Sequence, residues 1–250
     1  MANQSFVIYR GPSLIDGQPI VAIAQVSSKN RKTGDMIQTF ILRDDMDPIT
    51  ANRTGADHAI CGTCPHRGTA TDAEKGTATG RTCYVTLAHA PLAKWKGLQR
   101  GLYAEVTGHA AIREIGLNRM VRIGTYGDGA AVPSYIWDSL CDGAEGWTAY
   151  THQNGCATAA KDANRYMTSA ESKTDAMAAW ERGERTFRVM SDVSELIAGR
   201  EVLCPASEEA GKRTTCDKCK LCAGASIKAK SIAIVAHGGA KRIAKELVAA

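Results

Sequence analysis

Three apolar stretches open the chain: Phe6–Tyr9, Ile20–Val26 and Ile37–Leu42. They are rich in β-branched and aromatic residues, and turn chemistry separates them at Asp16-Gly17 and Thr33-Gly34-Asp35. Together they predict a small antiparallel β unit over residues 1–50. From about residue 57 the pattern changes to short apolar or β-branched runs, several of them followed by helical segments. The spacing predicts strands at His58–Cys61, Cys83–Leu87, Met120–Tyr126, Trp147–Thr151, Arg165–Ser169, Thr186–Met190, Glu201–Cys204 and Ser231–Ala236. Helices are expected at Pro91–Arg100, Val132–Leu140, Lys173–Arg182 and Ala240–Val248.

Strands alternating with helices imply parallel βαβ units and an α/β fold. Eight such strands predict a complete or degenerate (β/α)8, TIM-barrel-like domain over residues 51–250, with an open doubly wound sheet as the rival. Polar and reactive residues cluster where these predicted strands end. Cys61 ends the first, His89 follows the second, and Tyr126 and Asp128 close the third. His152 and Gln153 follow the fourth, Ser169 and Glu171 close the fifth, Cys204 ends the seventh, and His237 follows the eighth. In an α/β barrel the loops after the strands converge on one mouth, so these distant segments are expected to meet there.

Composition narrows the compartment. The 250 residues are 44% hydrophobic and no run approaches the ~18 apolar residues of a membrane helix. The N-terminus lacks a basic stretch followed by an apolar core, so a secretory signal is not expected and the chain reads as cytoplasmic. In a reducing cytoplasm nine cysteines are expected to serve as metal ligands or buried thiols rather than disulfides. The net charge of +5 permits nucleic-acid contact without requiring it, and the basic residues are scattered.

Seven cysteines fall into two groups. Cys216-x2-Cys219-x2-Cys222 is the most specific signal in the chain. Two-residue spacing wraps successive thiolates around one compact inorganic core, as in ferredoxins, where a Cys-Pro supplies a further ligand. Cys204-Pro205 is the nearer Cys-Pro and is the expected fourth ligand, with Lys212, Arg213, Lys218 and Lys220 offsetting the thiolate charge. A [4Fe–4S] cluster is therefore expected, with zinc as the alternative, since both accept thiolates. The first group is Cys61-x2-Cys64, with Cys83 following and His66 as a further donor. Three thiolates would leave a metal with an open position, a fourth ligand from His66 would close it, and a single centre drawing on both groups is a third arrangement. Cys141 reads as a packing thiol, and neither it nor Cys156 has ligand-like spacing.

Weaker candidates surround these groups. His152 and His237 are potential acid–base groups, although a structural hydrogen bond explains either. Gly238-Gly239 before a helix offers an anion site or an ordinary loop, and Asp128 fits a turn. Arg67 and Arg122 suit an anionic ligand or a solvated surface. No Walker loop, G-x-S-x-G elbow, H-E-x-x-H helix or dinucleotide fingerprint is present, which removes the commonest hydrolase, nucleotidase and dehydrogenase classes.

Gly55–Gly68, Thr82-Cys-Tyr-Val85, Gly124–Asp128, Tyr150-Thr-His-Gln153 and Cys204–Gly211 together resemble a family of cysteine-rich tailed-bacteriophage proteins of uncharacterised chemistry, some labelled as associated with rolling-circle replication. The cysteine-rich α/β layout also resembles radical S-adenosylmethionine barrels, although the C-x3-C-x2-C loop of that superfamily is missing. The resemblance implies a phage-encoded protein working in the host cytoplasm. Its expected function is iron–sulfur binding in redox or metal-dependent enzyme chemistry, electron transfer or sensing. The expected partner is a redox protein or a small-molecule substrate. A zinc-stabilised module acting on nucleic acid, or in host takeover, is the alternative.

Overall fold

The computed structural model describes residues 4–27, 30–153, 164–238 and 241–249. Two open, mostly parallel β-sheets organise the chain. The strands are β1 (Ser5–Pro12), β2 (Pro19–Gln25), β3 (Ile37–Arg43), β4 (Ala104–Glu105), β5 (Met120–Tyr126), β6 (Gly146–Thr148), β7 (Tyr150–Thr151), β8 (Met167–Ala170), β9 (Thr186–Met190), β10 (Glu201–Leu203) and β11 (Ser231–Val235). The described helices are α1 (Pro48–Arg53), α2 (His58–Cys61), α3 (Ala90–Gln99), α4 (His109–Gly116), α5 (Ser134–Cys141), α6 (Lys173–Glu181), α7 (Cys216–Cys219) and α8 (Lys241–Ala249).

The first sheet runs β4-β1-β2-β3-β5-β6 and the second β10-β11-β9-β8-β7. Among the named strands β1–β2 and β2–β3 pair antiparallel and the other ladders are parallel, with an isolated antiparallel bridge between Thr69 and Thr79. The expected N-terminal unit thus supplies β1–β3 to a larger sheet, because β3 pairs in parallel with β5. β2 and β3 lie in the middle of that sheet, and every residue of β3 is buried. Covering of both faces suits the apolar run Ile20–Ala24 of β2 and buries even Gln38 and Thr39 of β3.

The strands do not close into a barrel. The sheets meet at residues 146–151, where β6 borders β5 and β7 borders β8. Buried Ala149 sits between, its N–H bonded to the Cys222 carbonyl (3.1 Å) and its carbonyl accepting from Met167 (2.9 Å). β4 and β10 remain as edges.

Two predicted strands are something else. His58–Cys61 is α2: the Asp57 carbonyl accepts from Ile60 (3.0 Å) and Cys61 (2.9 Å), so local helical bonds replace a sheet ladder. Cys83–Leu87 forms no strand, because the Arg81 guanidinium takes the carbonyls of Cys83 (3.0 Å) and Val85 (2.7 Å). Five of the others and all four predicted helices are present within a few residues, whereas the predicted strand Trp147–Thr151 is two, β6 in the first sheet and β7 in the second, parted at Ala149 where the chain passes between sheets. Helices α1, α4 and α7 went unpredicted. α1 opens where the Asp47 side chain accepts from Ile49 and Thr50 ahead of Pro48, an N-cap signal visible in the sequence.

The main core lies between the first sheet and α2–α5, around fully buried Trp137, whose indole N–H donates to the Gly129 carbonyl (2.9 Å). The second sheet carries one small apolar layer with Met167, Ile232 and Ile234 and another with Met190, Ala233 and Val235.

Candidate functional site

A cavity of about 280 Å³ opens at the carboxyl ends of the parallel strands. Tyr126 ends β5, His152 follows β7, Glu171 follows β8, Cys204 follows β10 and His237 lies beyond β11; all five line the cavity. This is where an open α/β sheet binds ligands, because successive loops leave the strands there. His89 does not share the mouth: it is exposed at the start of α3.

All seven singled-out cysteines line this one cavity. In the second group, Cys204 is buried directly after β10, its N–H bonded to the Ala233 carbonyl of β11 (2.8 Å). Helix α7 carries Cys216 and Cys219 on one turn and docks on the β2–β3 loop, where Cys216 N–H donates to Lys32 (3.0 Å) and Asp217 N–H to Thr33 (3.1 Å). Gly34 makes that docking possible, since a Cβ there would run into the Asp217 carboxylate. Lys220 ends the turn in the left-handed conformation (φ 56°), and Cys222 follows with its thiol bonded to the Tyr150 hydroxyl. Burial pushes the Cys222 thiol up to about 12, against the Tyr150 bond and with the help of Cys204, Cys216 and Cys219. Burial likewise raises Cys216, opposed by the Arg122 guanidinium, and raises Cys219. Buried thiols set side by side stay protonated unless a cation draws off their protons.

The first group lines the same cavity from α2 and the loops that follow it. Cys61 ends α2, Cys64 follows through a turn in which Cys64 N–H bonds the Cys61 carbonyl (3.1 Å), and the chain then makes a 3-10 turn over Pro65–Arg67. Cys83 returns because its N–H and that of Thr82 both bond the His66 carbonyl (3.0 and 3.1 Å). Burial raises Cys61 well above the usual thiol value, and Asp57, Cys64 and Cys83 add to it; burial raises Cys83 as well. A buried clasp holds this loop. The Arg67 guanidinium pairs with Asp57 (3.0 Å) and donates to the carbonyls of Gly62 (2.9 Å) and Gly55 (2.8 Å). Gln153 fastens the loop to the end of β7, donating to the Cys61 carbonyl (3.1 Å) and packing so closely on Gly62 (φ 52°) that a Cβ there would meet its side-chain amide.

A polar cluster lines the same cavity next to the first group. Glu171 faces both histidines, with Oε2 2.9 Å from His66 Nε2 and Oε1 2.8 Å from His152 Nε2. His66 Nδ1 lies 2.7 Å from Thr82 Oγ1, and the His152 side chain interacts with that of Cys64. Burial acts against the charged forms, yet hydrogen bonds from His152 and His66 bring Glu171 down to about 2. His152 is likewise disfavoured as a cation by burial, and Cys64 with Glu171 still hold it well above the ordinary imidazole value.

Several expectations change place. Asp128 keeps its turn role, accepting from the Ala130 N–H (3.0 Å), and is buried as a further acceptor for Thr151 Oγ1 (3.0 Å) and the His152 N–H (2.9 Å). Arg67 and Arg122 are not surface groups: Arg122 lines the cavity and donates to the Tyr84 hydroxyl (2.6 Å). The charge beside Cys216 comes from Arg122 and Lys32. Of the four expected cations only Lys220 reaches the cavity, and Lys212 pairs with Glu208 (2.7 Å). Cys141 packs against the main core, and burial pushes its thiol up to about 12. Cys156 and Gly239 lie outside the described residues. Sequence reasoning singled out neither Arg122 as a buried cation nor Thr82 as a partner of His66, because both roles arise from pairing across distant segments. Comparisons with protein-family models, with curated proteins and with solved structures find no match to this chain.

Proposed function

We propose that the chain is an iron–sulfur protein: Cys204, Cys216, Cys219 and Cys222 hold a [4Fe–4S] cluster, and Cys61, Cys64 and Cys83 hold a second metal centre with an open position. The observation that carries this reading is that both cysteine groups line one cavity at the ends of the parallel strands. Sequence spacing favours a multi-iron core over zinc: three cysteines at consecutive two-residue intervals with a remote Cys-Pro suit a cubane better than two separated zinc knuckles. Arg122 and Lys32 beside Cys216 suit the negative charge of a four-thiolate cluster.

The two-sheet arrangement reads as a degenerate (β/α)8 layout whose mouth accepts a redox partner or a small substrate. The resemblance to tailed-phage proteins makes the chain a phage product acting in the host cytoplasm, where thiols stay reduced. No described helix is long and apolar enough to cross a membrane.

Anaerobically purified protein is expected to be brown, to lose its visible absorption on dithionite reduction, and to give a cluster signal in electron paramagnetic resonance. Cys219→Ser removes the iron of the second group, whereas Cys141→Ser keeps the full iron content. Equal iron in both variants, or a colourless protein carrying only zinc, overturns the assignment.

A further inference from the structure

We infer that His66, His152 and Glu171 form a separate binding site for one divalent transition-metal ion, with an open coordination position facing the cysteine-lined cavity. The site goes beyond the iron–sulfur reading and stands whether or not clusters are bound.

The two imidazoles and the carboxylate come from three segments: the turn after Cys64, the residue after β7 and the residue after β8. One ligand atom from each lies within 4.8 Å of the other two. Both histidines present the same nitrogen, Nε2, to Glu171, at 2.9 and 2.8 Å. Their rings meet edge to face, with centroids 6.1 Å apart and planes at 74°, so the nitrogens converge while the rings diverge.

The opposite nitrogen of His66 is occupied in the manner of a metal ligand. A ligating histidine characteristically gives its second ring N–H to a neighbour, which fixes the tautomer and aims the lone pair. His66 Nδ1 has the buried Thr82 hydroxyl at 2.7 Å, and the His152 side chain interacts with that of Cys64. Without a metal each Nε2 hydrogen-bonds to Glu171; a divalent ion would displace those protons and take up both imidazole nitrogens and a carboxylate oxygen.

The donor set specifies the class of ion. Two imidazole nitrogens and one carboxylate oxygen suit Zn²⁺ or Fe²⁺ and are too few in oxygen for Ca²⁺ or Mg²⁺. Three protein ligands leave a position for water or substrate, as in catalytic zinc sites with two histidines and a glutamate. The three side chains are 13–21% exposed, so the open position faces the cavity and not bulk solvent. An oxygen- or nitrogen-bearing group of a small substrate fits there, polarised by the ion.

The test adds Zn²⁺ to the full-length chain and reads zinc per chain, zinc affinity by calorimetry, and the zinc-edge X-ray absorption. Wild type is expected to hold one more zinc per chain than Glu171→Gln or His152→Gln, with nitrogen and oxygen neighbours for that zinc. Thr82→Val is the milder probe: it leaves all three ligands in place and should weaken zinc binding about 10-fold to 100-fold through loss of the orienting hydrogen bond. Unchanged thermal unfolding of Thr82→Val shows that the loss is local. Equal zinc in wild type and Glu171→Gln, or sulfur as the neighbour of the zinc lost in that variant, overturns the site. Iron is measured in the same samples, so a chain without iron that passes this test refutes the clusters alone, and one with iron that fails it refutes this site alone.

Discussion

Lys94 shows how much one side chain can bias the stability of this fold. It is 8% exposed on α3, its ammonium donates to the Ser5 hydroxyl (2.9 Å), and the Phe40 and Tyr103 rings lie 5.8 and 5.5 Å from it. Burial brings its pKa down from 10.5 to about 8. A folded pKa below the unfolded one means that the unfolded chain binds more protons between those values. Stability therefore climbs as pH rises from 8 toward 10.5, and the contribution is lost as pH falls through 8. By pH 9.5 the gain amounts to about 1–2 kcal/mol. Chemical denaturation of wild type and Lys94→Met from pH 7 to 9.5 should show the climb in wild type and a flatter profile in the variant. Parallel profiles would remove Lys94 as the cause. Nothing in Pro91–Arg100 marks this lysine as buried, because its environment is made by Ser5 and Phe40 from strands far away in the chain.

Between elements, the second sheet is braced by an ion pair that no motif announces. Arg188 of β9 reaches past Ala233 of β11 to Glu201 of β10, making two 2.8 Å hydrogen bonds. The side chains are 1% and 0% exposed. Removing one partner strands the other charge in the interior, so Arg188→Met should cost about 3–5 kcal/mol in urea unfolding. Adding Glu201→Leu should recover most of that loss, because two apolar side chains leave no buried charge. A double variant no more stable than the single one would show that the carboxylate's bond to the Ile197 N–H (2.9 Å) matters more than its charge. The strands themselves were legible: the runs at 120–126 and 186–190 became β5 and β9 with the same limits. The run at 58–61 was not, since four apolar and polar residues fit a strand or a helical turn equally, and the Asp57 carbonyl chose the turn.

For the whole molecule, stability should fall off from the centre of the first sheet toward its edge. β2 and β3 are flanked on both sides and almost wholly buried, whereas β4 is a two-residue exposed edge. Native-state hydrogen exchange should find the amides of β2 and β3 among the slowest and those of β4 among the fastest. An order in which β4 outlasts β3 would mean that the sheet is not the stable unit it is taken to be here. Residues 146–151 border strands of both sheets, and Cys222 bonds to Ala149 within them, so one end of the cysteine-bearing loop is anchored where the sheets meet.

By itself the sequence determined the α/β class, most strands and helices, and the two cysteine groups, because hydrophobic period and ligand spacing are local properties of the chain. Tertiary structure alone decided that the sheets stay open, that α7 docks on the β2–β3 loop, and that both thiol groups share one cavity. It also decided the convergence of His66, His152 and Glu171, three residues with no common spacing. Their meeting depends on the parallel pairing of β7 with β8 and on the Thr82 and Cys83 N–H bonds to the His66 carbonyl. Contacts of that kind join segments distant along the chain, and their free energy depends on which strands pair, which no local pattern encodes.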